Sequence, residues 1–172
     1  GVEAMIRDEG AQPGFPAQSS RNHLAAHYCS SPTDELAYEV GDCVKVDVGV
    51  HIDGYVADTA TTVDLSPDGR WAALIDSSAQ ALAAAINLAE EGLPVGRLGA
   101  AIERTITEAG FQPVRNLTGH GLARWKVHTP PQIPNYADSG GGRLRGGARV
   151  PEVQPRRGAG PRGPAGALRR DH

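Results

Sequence analysis

The chain has 172 residues, 40% of them hydrophobic and 22% charged, which is the composition of a soluble globular protein with room for one ordinary domain. No run of about eighteen apolar residues occurs, which excludes a membrane-spanning helix, and two cysteines, Cys29 and Cys43, are too few for a disulfide framework and fit free thiols of a reducing compartment. The net charge of −3 divides unevenly: residues 1–139 carry 9 Lys+Arg against 18 Asp+Glu, and residues 140–172 carry 8 Arg against 2 acids, so the acidic body argues against nucleic acid as the main partner.

In chain order, Val2–Gly10 reads as the last turns of a helix stopped by Gly10, with Pro13 and Pro16 forcing an extended segment after it. No secretory signal opens the chain, so the expected location is the cytoplasm, and a start without Met reads as a fragment or a processed end. Residues 18–35 read as a polar loop, with a turn at Pro32 and Asp34. A hairpin follows over residues 44–65. Ser66 is then expected to cap the longest helix, with Pro67 in its first turn and Gly92 at its end. A second helix over residues 95–110 places Leu98, Ile102, Ile106 and Ala109 on one face. Residues 111–135 mix Gly, Pro and β-branched residues and read as strands and loops. The order predicts an α+β domain, helices packed on antiparallel sheet.

The hairpin carries the first chemical signal. Val44, Val46, Val48, Val50 and Ile52 alternate with Lys45, Asp47, Gly49 and His51, a period of two. Asp53-Gly54 is the pair that a two-residue turn prefers. Counting back from that turn, Ile52 faces Tyr55 and Asp47 faces Ala60. Asp58 then shares a face with Asp47, one diagonal step away, roughly 7–8 Å between backbones. The wet side of a sheet explains such a face in the ordinary case. Two like charges held this close also suit a cation between them.

Histidines occur at positions 23, 27, 51, 120, 128 and 172. His120 stands in Gly-His-Gly, where the glycines admit close backbone approach, and His128 follows eight residues later. A lone histidine is more often a surface or hydrogen-bonded residue than a ligand. No Cys-x-x-Cys pair, His-Glu-x-x-His helix, P-loop or Gly-x-Ser-x-Gly elbow competes.

Three segments, NHLAAHY, VKVDVGVHIDGYVADTATTV and NLTGHGLARWKVHTPPQIPN, together resemble the type II methionine aminopeptidases in their archaeal form, within the pita-bread metallopeptidase superfamily. The resemblance runs from about residue 2 to Ser139 and implies a partial pita-bread fold. It implies two divalent metal ions (Co, Mn, Fe or Zn), with Asp47, Asp58 and His120 as metal ligands. His27 and His128 correspond to catalytic and substrate-binding histidines. The implied activity removes the initiator methionine from nascent polypeptides, by a monomer with no membrane or nucleic-acid partner. Alternatives are an Xaa-Pro aminopeptidase or dipeptidase of the same superfamily and a non-catalytic binding relative.

The resemblance also implies two glutamate ligands that this chain does not match. Glu152 is near one expected position, in surroundings that have lost strand character, and the other has no counterpart. Cys29 replaces the more usual Thr after AAHY. From Gly140, 21 of 33 residues are Gly, Arg or Pro, so a metallopeptidase part over residues 1–139 is expected to give way to a disordered or out-of-frame tail over residues 140–172. A G-rich coding run at Gly140–Arg143 is where a one-base slip would fall. With three ligands in place of five and bare apolar faces, the chain as written is expected to be inactive or impaired.

Overall fold

The computed structural model describes residues 1–24, 26–145 and 155–157. Helix α1 (Val2–Asp8) leads to β1 (Gln12–Pro13), β2 (Gln18–Arg21), β3 (Cys43–Ile52) and β4 (Tyr55–Asp64). Helices α2 (Ala72–Leu88) and α3 (Val95–Glu108) follow, then β5 (Phe111–Pro113), β6 (Thr118–Ala123), β7 (Lys126–Pro134) and β8 (Pro155–Arg157).

Strand β3 is the spine of a four-stranded sheet. It pairs with β4 along one edge and with β1 and β2 on the other, antiparallel throughout. The hairpin register is the expected one, with Ile52 opposite Tyr55 and Asp47 opposite Ala60. Asp53 and Gly54 both take positive φ, 51° and 84°, as a two-residue turn of this hand requires. Residues 18–35 are not all loop: Gln18–Arg21 pairs with Val44–Asp47 as β2. A four-residue polar strand has no legible alternation, and only the edge of β3 makes it one.

The two helices follow the expected order with different ends. Ser66 does not cap α2. Its Oγ accepts the Arg70 N–H at 3.1 Å, while Asp64 accepts the N–H groups of Ser66 and Trp71 at 2.7 and 3.0 Å. These bonds close a turn around Gly69 (φ 65°), and the helix starts only at Ala72. It ends at Leu88, before Gly92. Helix α3 buries Leu98, Ile102 and Ile106 completely, and Ala109 is its exposed C-cap. Burying side chains of that size stabilises by about 1.5–3 kcal/mol each. These residues pack with Ala81 and Ala85 of α2 and Ile133 of β7. Gly99 has to be glycine, because a Cβ there would collide with the Tyr136 carbonyl, so α3 lies directly on the chain at the end of β7, the strand that bounds the site.

The composition change at Gly140 is not matched by a break in the backbone. Leu144 is 7% exposed and belongs to the same core as α3. Its carbonyl accepts the Gly92 N–H at 3.0 Å, its own N–H donates to Leu93 O at 2.8 Å, and Gly142 O accepts the Val95 N–H at 3.1 Å. The first turn of α3 lacks a side-chain cap, and this segment satisfies one of its orphan donors instead. Residues 155–157 pair with β5. Glu152 and His172 lie outside the described residues.

Candidate metal and substrate site

The two faces of the β3–β4 hairpin differ in exposure. On β4 the positions that share Asp58's face (Val56, Ala60, Thr62, Asp64) are half-buried, and the alternate positions are exposed. The shielded face is the acidic one. The valine face is open at its tip and along β4, where Ile52, Tyr55 and Val63 are 64, 69 and 43% exposed, while Val44 is 4% exposed and Val46, Val48 and Val50 are half-buried. Gly49, opposite Asp58, is covered by the Phe15 ring, and a Cβ at that position would collide with it.

The second hairpin, β6–β7, supplies the imidazoles. Its register shifts on both sides of Gly121, so His120 faces Gln132 and Gly121 faces Thr129. Such bulges bend a strand and re-aim its side chains. Gly121 admits no Cβ, because the Pro130 carbonyl lies against it. Just past the end of β7, buried Asn135 donates from Nδ2 to the carbonyls of Val114 and Leu117 at 3.3 and 3.2 Å. It thereby holds the segment that carries Asn116, Leu117 and Thr118 into the cavity wall.

The two hairpins close on one cavity of about 480 Å³, and all five sequence-predicted residues line it: His27, Asp47, Asp58, His120 and His128. Asp58 Oδ2 is 3.7 Å from His120 Nε2. His120 Nδ1 is 3.2 Å from the Gly121 carbonyl. The Gly121 carbonyl can accept a ring N–H at Nδ1, and Nε2 is the ring atom turned toward the Asp58 carboxylate. The His120 and His128 rings are 4.3 Å apart at 55°. Burial, with the neighbouring His120 second, holds the His128 pKa below the usual imidazole value, and the Asp58 and Asp47 carboxylates oppose this.

His27 reaches the cavity from a loop and takes φ 68°. Tyr28 anchors that loop: its hydroxyl donates to Asp34 at 2.6 Å, and its carbonyl accepts the Ser19 N–H of β2 at 3.0 Å. Asn116, Thr118 and Gln132 also line the cavity, and the sequence reading does not single them out. For Gln132 the missing signal is its register opposite His120, which the bulge conceals.

The donor set fits a divalent cation in kind: two carboxylates, an imidazole whose Nε2 is turned toward one of them, and no Lys or Arg among the described residues of the lining. It is not drawn together as a finished cage. Among the described residues, no three His, Cys, Asp or Glu side chains are gathered closely enough to hold a metal ion.

Comparison with known proteins gives three findings. Residues 2–151 match the model of metallopeptidase family M24. The chain is 46% identical over 149 residues to a methionine aminopeptidase of Archaeoglobus fulgidus, covering 87% of this chain and 50% of that one. It is 41% identical over 145 residues to that of Methanothermus fervidus, covering 78% and 77%. Among solved structures, the methionine aminopeptidase of Thermotoga maritima aligns with a TM-score of 0.76 and 30% identity over 86% of this chain and 62% of that one. The prolidase of Pyrococcus horikoshii, at 23% identity and a TM-score of 0.68, covers 90% of this chain and 46% of that one and shares the fold. The chain spans about half the length of most of the curated relatives it matches.

Proposed function

The chain belongs to metallopeptidase family M24, with the pita-bread fold of that superfamily in partial form, and from that premise we propose that it derives from a type II methionine aminopeptidase. That enzyme removes the initiator methionine from nascent polypeptides in the cytoplasm, as a monomer. The observation that carries this reading is the convergence of Asp47, Asp58, His120, His27 and His128 on one cavity.

Asp47, Asp58 and His120 would hold two divalent ions (Co, Mn, Fe or Zn), which when bound supply Lewis-acid polarisation of the scissile carbonyl and a water of lowered pKa. The chain's own residues do the rest. The Gly121 carbonyl beside Nδ1 orients the His120 ring, with Nε2 toward Asp58. His128, held toward its neutral form by burial, offers a ring N–H where negative charge develops on the carbonyl oxygen. His27 meets the substrate backbone from the loop side. Leu117, Pro130 and Ala26 give the cavity an apolar wall for a thioether side chain.

This chain as written is proposed to be inactive or impaired, with residues 140–172 arising from a reading frame displaced within Gly140–Arg143. The test begins with resequencing the coding DNA across Ser139–Arg143. The chain and its frame-corrected form are then assayed on Met-Ala-Ser and on an Xaa-Pro peptide. Methionine release by the corrected form alone is the expected result. Cleavage confined to the Xaa-Pro peptide would replace the reading with a dipeptidase. Release at equal rates by both forms would overturn the proposed impairment, and release by neither would favour a non-catalytic relative.

A further inference from the structure

The β3–β4 and β6–β7 hairpins belong to separate sheets and share no ladder. Away from the cavity they meet at their tips, where two two-residue turns clasp each other. Asp53-Gly54 closes one hairpin, and Arg124-Trp125 closes the other between the paired Ala123 and Lys126. The Trp125 N–H donates to Gly54 O at 2.8 Å, and Arg124 Nε donates to Asp53 O at 2.8 Å. The Arg124 guanidinium lies 5.3 Å from the Tyr55 ring centre. The indole of Trp125 stands edge-on to His51 at 5.0 Å and covers Gly54 so closely that a Cβ there would strike it. Trp125 holds this position at φ 61°, a conformation that bulky residues rarely adopt and that persists only when its surroundings impose it.

The arms behind the clasp hold equal numbers of residues. Asp58 lies four residues beyond Gly54 on the regular β4, and His120 lies four residues before Arg124 on β6, whose register shifts on both sides of Gly121. With the tips pinned together, and the shift at Gly121 re-aiming the strand, Asp58 and His120 face each other at 3.7 Å.

We propose that the Arg124-Trp125 turn is a positioning device that sets the spacing between the carboxylates of the first hairpin and the imidazole of the second. This rests on the metal reading above. Trp125 touches no reacting group. Its part is to hold one half of the donor set against the other, and its 64% exposure makes it a minor contributor to stability.

The test uses the full chain and W125A, W125F and R124A, with Co(II) as the probe. W125A is expected to weaken Co(II) affinity, read from visible absorption, by about 10-fold or more, with W125F recovering most of it and the thermal midpoint nearly unmoved. R124A is expected to weaken it less, and it carries the test if W125A fails to fold. Unchanged affinity in a folded W125A or in R124A overturns the proposal. A second readout needs no metal: nuclear Overhauser contacts between Asp58 and the His120 ring protons are expected in the parent chain and lost in W125A. Their persistence in W125A overturns the clasp. Failure of the parent chain to bind Co(II), with those contacts present and clasp-dependent, would sink the metal reading and leave the clasp standing.

Discussion

Asp58→Asn is expected to have opposite effects with and without metal. Asparagine keeps the shape of the side chain and the pairing of residue 58 with Gly49, removes the charge and turns one acceptor oxygen into an N–H donor. Asp47 and Asp58 are diagonal neighbours on the shielded face, about 7.5 Å apart by backbone geometry. At an effective dielectric of about 20 their repulsion is about 2 kcal/mol, and half that with more solvent. Removing it raises the thermal midpoint of the metal-free chain by roughly 2–8 °C for a protein of this length. Co(II) at about 100 times its dissociation constant adds about 2.7 kcal/mol to the parent chain, or roughly 5–11 °C. A 100-fold loss of affinity in the variant leaves only about 0.4 kcal/mol of that. Differential scanning fluorimetry with and without Co(II) reads both signs. A lower midpoint in the metal-free variant would show Asp58 to be a structural partner of His120. A Co(II) shift equal to that of the parent would show that Asp58 is not a ligand.

Three further outcomes follow from the packing and the charges. Ile102→Ala, at a fully buried position of α3, is expected to cost about 2–5 kcal/mol in chemical denaturation while leaving the Co(II) affinity of the folded protein intact, since Ile102 faces the helical core and not the cavity. Asp42 is held below the usual carboxylate value by the Glu39 N–H, then by Asn22 and Arg21, against burial. Its stabilisation is therefore present above the unfolded value near pH 4 and lost as pH falls through the lowered folded one, so D42N should flatten the acid limb of a stability–pH curve and leave its slope above pH 5 unchanged. Ile52→Thr with Val63→Thr, on the open face of the hairpin, should reduce self-association in light scattering with less than about 1 kcal/mol change in stability.

The features that sequence reveals here are those with a short period or a forced turn. The alternation of Val44–Ile52 and the Asp53-Gly54 turn define the hairpin register residue by residue, and with it the shared face of Asp47 and Asp58. The face of α3 is likewise written in Leu98, Ile102 and Ile106. Strand β2 is not legible, because Gln18–Arg21 has no apolar alternation and becomes a strand only by lying along β3. The start of α2 is misread for a similar reason. Ser66 and Pro67 look like a helix entry, but Asp64 binds the Ser66 and Trp71 N–H groups and makes a turn there first. Gln132 joins the cavity through a bulge, and bulges leave no periodic trace.

The site is legible as residue types and not as geometry, and the division falls between the two hairpins. Within β3–β4, local pairing alone puts the two carboxylates on one face. Nothing local brings His120 to them, because α2 and α3 intervene in the chain between Asp58 and His120. Strand β7 is seated on the helical core through Ile133, and the chain beyond it lies on α3 at Gly99. The core therefore decides where the second hairpin lies, and the tip contact at Trp125 decides how far along the first hairpin it docks. These two supports should separate experimentally. I102A lowers the stability of the whole domain, yet in the molecules that remain folded the tips still meet and Co(II) affinity holds. W125A does the reverse, shifting His120 against Asp58 while the helices stay folded. If both variants lost affinity in proportion to their lost stability, the donor spacing would be a property of the packed core alone, and the tip contact would have no separate part in it.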